Sequence, residues 1–167
     1  MAVATGLGLA VLSVAAWASG VRANYTSSLP RGLYVESAFD PTSAEAGQIV
    51  VACPSAEAAL ALAAYLANGP CPGGVVELGK PVVGVPGDTV VVDSAGVRVG
   101  GTPLPHSAPL FRDRAGRPLR PRLGQHVLAE GEYWLHSGRV PTSVDSRYAG
   151  PVSDVRGVLR PLWVESE

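Results

Sequence analysis

The chain has 167 residues, enough for one domain with a buried core, and its net charge of −1 gives no electrostatic reason to expect a nucleic-acid partner. Its 20 glycines and 15 prolines are spread along the sequence, which favours many short strands joined by turns over a disordered tract. Basic side chains are nearly all arginine, and the chain contains a single lysine, Lys80.

The first feature in chain order is an uncharged run over residues 2–21. A helix of about 20 residues spans roughly 30 Å, the thickness of a hydrocarbon core, so this run predicts an N-terminal transmembrane helix. A cleavable signal peptide is the alternative, because residues 16–18 have the small-x-small form of a cleavage site. The first charge, Arg22, gives no support for export by the positive-inside rule. We therefore expect an anchor or signal segment at 1–22 and an exported domain at 23–167.

The start of that domain predicts strands and one helix. Residues 32–37 and 47–53 are rich in apolar and β-branched side chains between Gly, Pro and Asp breaks, which is typical of strands. Residues 55–70 predict the one clear helix outside the membrane segment. Ser55 is its expected N-cap, and an Asn-Gly-Pro sequence ends it.

The second half of the chain predicts further strands. Residues 81–101 alternate apolar segments with turn pairs, and residues 131–137 and 155–163 resemble two more strands. Between them, residues 101–122 are rich in Pro and Arg and predict an extended excursion. The fold class is therefore mainly β, a partly open barrel or coiled antiparallel sheets with one small inserted helix.

Two cysteines, Cys53 and Cys71, flank the predicted helix. Two cysteines cannot complete a zinc site alone, and the histidines are not placed to help, so we expect no metal. In a cytosolic protein they would be two buried thiols, whereas in an exported domain a disulfide is expected. The predicted anchor favours the disulfide, which would join the two ends of the helix.

Serine chemistry needs a base, and histidine is the commoner one. His106, His126 and His136 have no convincing nucleophile-elbow context. Lys80 lies in an apolar stretch, where burial would lower the pKa of its amine from the usual value of about 10.4. On composition alone, a lysine at a strand edge with its amine in solvent is the commoner outcome.

Three stretches change that balance. They are "NYTSSLPRGLY" at 24–34, "GKPVVGVPGD" at 79–88 and "PTSVDSRYAG" at 141–150. In this order after a membrane segment, they resemble the signal peptidase I family, in its conjugative-transfer pilin-peptidase (TraF-type) branch. The resemblance extends over nearly the whole chain. It implies the fold of that family and a serine–lysine dyad.

The resemblance assigns the dyad to Ser28 as nucleophile and Lys80 as general base. Ser27 is the competing nucleophile, because ordinary signal peptidases place the serine three residues before the proline. The spacing from Asn24 and Thr26 favours Ser28. The hydroxyl of Thr26 and the backbone N–H of Ser28 would then form the oxyanion hole.

The third stretch carries the supporting residues. Ser143 would donate a hydrogen bond to, or accept one from, the Lys80 amine and aim it. Asp145 and Arg147 lie two residues apart, on the same side of an extended segment, and are expected to pair structurally rather than act in catalysis.

The implied function is a membrane-anchored serine endopeptidase that needs no cofactor and matures a pilin of a conjugative type IV secretion system. Its partners would be a membrane-embedded pro-pilin and the lipid bilayer, with no nucleic acid. Its location would be the bacterial inner membrane, as a single-pass protein with the catalytic domain on the periplasmic side. A general type I signal peptidase and a non-catalytic membrane-tethered assembly factor remain as alternatives, and the sequence does not distinguish hydrolysis from cyclisation of the product.

Overall fold

The structure is a computed structural model and describes residues 20–166, which form antiparallel β-sheets with a few short helices. The strands are β1 (Val21–Asn24), β2 (Gly32–Ala38), β3 (Ile49–Cys53), β4 (Leu78–Gly84), β5 (Thr89–Asp93), β6 (Gly96–Val99), β7 (Thr102–Pro103), β8 (Gly124–Val127), β9 (Trp134–Leu135) and β10 (Asp154–Val164). The helices are α1 (Ala56–Leu62), α2 (Ser146–Ala149) and 3-10 turns at Pro41–Ser43 and Ala63–Tyr65.

The strands form two sheets whose neighbours are all antiparallel. The larger sheet has the order β1-β2-β10-β3-β4-β9, and the smaller has the order β7-β6-β5-β8. The long strand β10 pairs with β2 on one side and with β3 on the other, so the last strand lies between two strands from the first third of the sequence. The predicted mainly β, antiparallel architecture is confirmed.

A glycine is required where β2 begins. Gly32 has φ of +151°, and a Cβ at this position would collide with the backbone carbonyl of Trp163 on the neighbouring strand β10. Backbones can approach this closely because glycine has no side chain. Gly32 thus lets β2 pair with β10 immediately after the loop that carries Ser28.

Strand β4 positions Lys80. Along Leu78–Gly84 the residues alternate between buried and half-buried, which is the period of a strand with one face on the core. Lys80 shares the buried face with Leu78 and Val82, and its backbone pairs with Val50 of β3. The lysine is therefore held by the pairing of β4 with β3, while β9 pairs with β4 only further along, at Val82 and Gly84.

The core joins the two sheets at Trp134. This residue belongs to β9 of the larger sheet, yet its fully buried ring packs with Val90, Val92 and Val97 of the smaller one. Burying side chains of this size stabilises a fold by about 1.5–3 kcal/mol each. Trp134 therefore fixes the position of one sheet relative to the other.

Helix α1 is shorter than predicted. Its expected N-cap is confirmed, because the Ser55 hydroxyl accepts a hydrogen bond from the N–H of Ala58 at 3.2 Å. The helix tightens into a 3-10 turn and stops at Tyr65, before the Asn-Gly-Pro sequence at 68–70 that was expected to end it. It stops there because Asn68 forms an isolated β-bridge with Val75, a pairing that local helix propensity does not reveal.

The predicted disulfide is confirmed, since Cys53 and Cys71 are bonded. It links the end of β3 to the segment after the helix, and both half-cystines are buried with Ala59 and Val75. The expectation of one small helix is wrong, because α2 is a second one. At four residues α2 is too short to produce a periodic apolar pattern.

The predicted anchor at 1–22 lies mostly outside the described residues. Its last two members, Val21 and Arg22, begin strand β1 and pair with Val35 and Tyr34 of β2. Within residues 20–166, no helix has the length and apolar character needed to cross a bilayer.

Candidate active site

Ser28 lies on a tight loop between β1 and β2, and Asn24 organises this loop. The side-chain amide of Asn24 donates towards the carbonyls of Thr26, Leu29 and Pro30 at 3.0, 3.2 and 3.0 Å. Its oxygen accepts from the backbone N–H and the hydroxyl of Thr26 at 3.2 and 2.7 Å. One side chain therefore fixes the path of the chain around Ser28.

The structure brings Ser28 and Lys80 together. The Lys80 Nζ lies 3.0 Å from the Ser28 Oγ, and each residue is 8% exposed. The Lys80 Nζ also donates to the carbonyl of Gly79 at 3.2 Å. A base and a hydroxyl at this separation are within proton-transfer distance.

Burial lowers the pKa of the Lys80 amine from its ordinary value of 10.5. Desolvation disfavours the charged ammonium and is the larger cause, while the negative charge of Asp145 raises the pKa and opposes it. Because the effect of desolvation is larger than that of the Asp145 charge, the net pKa of Lys80 is lowered. Burial therefore shifts the amine towards its neutral form, the form that can accept a proton.

Ser27 is placed differently from Ser28. It is exposed, whereas Ser28 is buried and points its hydroxyl at Lys80. Ser27 lines the same cavity as Lys80, but the amine bonds to the Ser28 hydroxyl and not to that of Ser27. The geometry favours Ser28 over Ser27 as the partner of Lys80.

The predicted hydrogen bond between Ser143 and Lys80 is not formed. Ser143 is buried and lines the same cavity as Lys80, but its hydroxyl has no hydrogen-bond partner among the described residues. The backbone of Ser143 is fixed instead, because Arg147 donates to its carbonyl at 3.0 Å. The hydroxyl is therefore buried without a bond to the amine.

Asp145 and Arg147 pair as predicted, with Arg147 Nε 2.8 Å from Asp145 Oδ1 and both side chains fully buried. The expected extended segment is wrong. Asp145 is the N-cap of α2 and accepts from the backbone N–H of Arg147, which lies in the helix. Burial alone would raise the pKa of the Asp145 carboxyl, but hydrogen bonds from His136 and Arg147 and their charges hold it below its ordinary range.

Arg147 holds the surrounding loops. Its guanidinium donates to the carbonyls of His106, Ala108 and Pro141 at 3.3, 3.3 and 3.0 Å. Each of these carbonyls belongs to a segment without regular structure. A fully buried, fully bonded guanidinium therefore ties the proline-rich excursion to the segment that carries Ser143.

His136 is a member of this buried network rather than a base for serine. Its Nδ1 lies 3.1 Å from Asp145 Oδ2, and its Nε2 lies 2.8 Å from the carbonyl of Pro105. Both ring nitrogens face oxygen acceptors, so neither is free to accept a proton from a hydroxyl. His106 and His126 likewise contact backbone carbonyls, those of Gly138 and Arg122.

Ser137 contacts the loop of Ser28, and the sequence did not suggest this contact. Its hydroxyl, fully buried, donates to the backbone carbonyl of Ser28 at 2.7 Å. Its own N–H lies 3.4 Å from Asp145 Oδ2. The loop that carries Ser28 is thus joined to the buried Asp145–Arg147 pair, although no local motif marks this link.

A cavity of about 550 Å³ opens beside Ser28 and Lys80. Its apolar wall includes Leu29, Val51 and Leu159, which also form a core cluster with Tyr34. An apolar cleft with a few polar groups at one point is the usual form of a ligand site. Within residues 20–166, no cluster of three or more His, Cys, Asp or Glu side chains is placed to hold a metal ion.

Comparison with known proteins identifies the family of this chain. Residues 1–163 match the family model described as signal peptidase, peptidase S26. The chain belongs to this family. The predicted resemblance to the signal peptidase I family is therefore confirmed.

The similar curated proteins are conjugation proteins. A plasmid transfer protein TraF of Escherichia coli is 40% identical over 167 residues, covering 96% of this chain and 93% of that protein. A probable conjugal transfer protein TraF of Sinorhizobium fredii is 40% identical over 156 residues, covering 87% and 81%. A conjugal transfer protein TraF of Agrobacterium fabrum is 35% identical over 164 residues, covering 95% and 90%. The predicted resemblance to the TraF-type branch of the family is therefore confirmed.

Among solved structures, a signal peptidase I of Enterococcus faecalis overlaps 74% of this chain and 100% of its own, at 21% identity and a TM-score of 0.40. A likeness of this degree carries no argument about the site.

Proposed function

We propose that this chain is a membrane-anchored serine endopeptidase that uses a Ser28–Lys80 dyad to mature a pilin precursor of a conjugative type IV secretion system. The single observation that carries the proposal is the 3.0 Å separation between the Lys80 Nζ and the Ser28 Oγ at a buried site. Membership of the S26 peptidase family and the likeness to conjugation proteins support the reaction class and the substrate class.

In the proposed mechanism, the neutral Lys80 amine takes the proton of the Ser28 hydroxyl as its oxygen attacks the scissile carbonyl carbon. The carbonyl oxygen becomes an oxyanion. When the intermediate collapses, the C–N bond breaks and the Lys80 ammonium returns the proton to the leaving amine. An acyl-enzyme on Ser28 remains, and water or an amine of the substrate itself resolves it.

The oxyanion is stabilised by the backbone N–H of Ser28 and the hydroxyl of Thr26. The Thr26 Oγ1 lies 3.1 Å from the Ser28 Oγ, so its hydroxyl is close to where the attacked carbonyl must sit. Removing one donor from such a site typically lowers kcat by about 10²–10³-fold.

The open edge of β4 supports binding of an extended substrate. Strand β3 pairs with β4 at residues 78–81, whereas β9 pairs with Val82 and Gly84 further along. On the β9 side the carbonyl of Pro81 accepts from the N–H of His136. Because backbone groups alternate sides along a strand, those of Gly79 face the same way, beside Lys80. A substrate segment would add there as a strand and present its carbonyl to Ser28.

The location in the proposal is the inner membrane with the catalytic domain on the periplasmic side. The uncharged run at 2–21 would anchor the chain, and Ser28 follows it closely enough to meet a membrane-embedded precursor. The disulfide supports an oxidising compartment, since such bonds persist in the periplasm and are rare in the cytosol.

The test is processing of the pilin precursor by the full-length protein in detergent micelles, followed by mass spectrometry of the product. We expect Ser28→Ala and Lys80→Ala to abolish cleavage, while Ser27→Ala cleaves normally. Normal cleavage by Lys80→Ala would contradict the dyad. A mature product lighter than the hydrolysed one by a water would indicate cyclisation, and processing of ordinary secretory precursors would indicate a general signal peptidase.

A further inference from the structure

The orientation of the Asn24 amide is fixed by its neighbours. Its nitrogen faces the carbonyl oxygens of Thr26, Leu29 and Pro30, and its oxygen faces the backbone N–H of Thr26. The reversed amide would set an oxygen against three carbonyl oxygens and a nitrogen against an N–H. The atom that meets the Thr26 hydroxyl is therefore the amide oxygen, a pure acceptor.

This orientation decides where the Thr26 hydrogen lies. The Thr26 Oγ1 is 2.7 Å from the Asn24 Oδ1, and the amide oxygen carries no hydrogen. The single hydroxyl hydrogen of Thr26 must therefore be donated to Asn24. At its second contact, 3.1 Å from the Ser28 Oγ, the Thr26 oxygen is left to act as an acceptor.

The same assignment of hydroxyl hydrogens to acceptors can be made for Ser28. Its oxygen lies 3.0 Å from the Lys80 Nζ, and when the amine donates to this oxygen, the hydrogen of Ser28 has the Thr26 oxygen as its acceptor. In this resting arrangement the hydrogen bonds run in one direction, from Lys80 through Ser28 and Thr26 to Asn24, and the step from Thr26 to Asn24 is the one that the amide oxygen fixes. Catalysis needs the opposite direction, in which Ser28 donates to Lys80 and Thr26 donates to the oxyanion.

We propose that Asn24 is a positioning residue whose amide oxygen competes with the substrate's carbonyl oxygen for the hydroxyl hydrogen of Thr26. This inference rests on the proposed function and adds a residue to it. While Asn24 holds the hydrogen, the chain of hydroxyls stays in the resting direction. As Ser28 attacks the bound substrate and its proton passes to Lys80, the hydroxyl hydrogen of Thr26 leaves the Asn24 oxygen and is donated to the oxyanion.

The physical basis is a difference in acceptor strength. The carbonyl oxygen of a bound substrate is neutral, like the amide oxygen of Asn24, so the two compete on similar terms. As Ser28 attacks, that oxygen gains negative charge, and hydrogen bonds to a charged acceptor are roughly twice as strong. Thr26 is therefore drawn to the oxyanion mainly in the transition state. The Asn24 oxygen should affect kcat rather than KM.

The test is a double-mutant cycle on the full-length protein with the pilin precursor in micelles. Asn24→Asp keeps the acceptor and makes it charged, so it should hold the Thr26 hydrogen more strongly. We expect kcat to fall about tenfold more in the wild-type background than in Thr26→Ala, with little change in KM. Each kcat is taken at the upper plateau of its pH profile, so that a changed pKa of Lys80 does not enter the comparison.

Asn24→Ala provides the matched variant with the opposite expectation. It removes the competing acceptor as well as the contacts that organise the loop, and the loss of those contacts is common to both backgrounds. We expect kcat to fall less in the wild-type background than in Thr26→Ala. If either variant fails to fold, as judged by its thermal unfolding, the other decides.

A merely structural role for Asn24 predicts equal fold losses in the two Thr26 backgrounds, and this result from an active enzyme would overturn the inference. Coupling of the same sign for Asn24→Asp and Asn24→Ala would overturn it as well. The proposed function fails separately: a wild-type protein that leaves the precursor intact would contradict it, and the inference would fall with it.

Discussion

The Ser137 hydroxyl donates a 2.7 Å hydrogen bond to the backbone carbonyl of Ser28, across a sequence separation of 109 residues. The bond fixes the peptide plane that follows the proposed nucleophile. Because Ser137 also approaches the carboxylate of Asp145, the position of Ser28 depends on the buried network of His136, Asp145 and Arg147. The network therefore holds the loop of Ser28 in place through two groups of Ser137, its N–H on Asp145 and its hydroxyl on the Ser28 carbonyl.

We expect Ser137→Ala to reduce kcat and to lower the free energy of unfolding by about 1–3 kcal/mol, because the buried carbonyl of Ser28 loses its donor. Urea denaturation and cleavage kinetics measure the two effects. Ser107→Ala is the matched control: Ser107 is also buried and donates to the Leu104 carbonyl at 2.7 Å, in a different part of the fold. A similar kcat for the two variants would argue against a positioning role for Ser137.

Removing the Asp145 carboxylate should destabilise the domain strongly. Asp145→Ala leaves the guanidinium of Arg147 buried without its counter-charge, which typically costs about 3–5 kcal/mol. The same change removes a charge that raises the pKa of Lys80, so the alkaline-rising limb of kcat/KM should move to lower pH. Chemical denaturation and a pH–rate profile measure the outcomes. Glu57→Gln, at an exposed ion pair with Arg122, should change neither, and an equal effect there would contradict the account.

The carboxyl of Asp145 also predicts a direction of acid denaturation. Its pKa is lower in the folded protein than its ordinary 3.8, so the folded state favours the ionised form. The stability gained in this way is present above 3.8 and is lost as pH falls through the lowered folded pKa. The loss should be absent in Asp145→Asn, and a steep acid loss that persists there would assign the effect to other groups.

The buried amine predicts that stability rises with alkaline pH. The pKa of Lys80 is lower in the folded protein than the ordinary 10.5, so between these two values the unfolded chain binds the extra proton. The free energy of unfolding should therefore increase across that window as pH rises. Lys80→Met, similar in shape and without charge, should remove the increase and be more stable at neutral pH, while losing activity. An unchanged pH dependence would indicate an ordinary solvated lysine.

The disulfide should stabilise the domain by about 3 kcal/mol, the value expected for a closed loop of similar length. The Cys53→Ala/Cys71→Ala double variant should therefore unfold at a lower urea concentration than the oxidised protein. A reductant should lower the midpoint of the wild type and leave that of the double variant unchanged. Equal midpoints for the two proteins under oxidising conditions would mean that the bond adds no stability.

The sequence was informative where structure is local. Apolar segments between turn pairs predicted strands from residue 81 onwards, beside Lys80, and Ser55 predicted the start of α1. Asp145 is an ordinary N-cap signal, but the four-residue helix after it is too short to show a period. The segment was therefore predicted to be extended, and the ion pair between Asp145 and Arg147 was predicted for the wrong backbone geometry.

Contacts between distant segments could not be predicted from local patterns. The bridge from Asn68 to Val75 that ends the helix, and the bond from Ser137 to Ser28, depend on how the sheets pack. The resemblance carried by the three stretches predicted that Ser28 and Lys80 lie together, and their side chains are 3.0 Å apart. Asn24 was part of the first stretch, yet the role proposed for it rests on counting hydrogen-bond donors and acceptors in three dimensions.

The central claim is that burial keeps the Lys80 amine able to accept the proton of Ser28, and its most direct test uses the fact that Lys80 is the single lysine in the chain. Selective ¹³C,¹⁵N-lysine labelling of the full-length protein gives one side-chain NMR signal, which can be followed through a pH titration. We predict a titration midpoint below the ordinary pKa of 10.5, moving further down in Asp145→Asn. A midpoint at or above 10.5 in the folded protein would contradict the account.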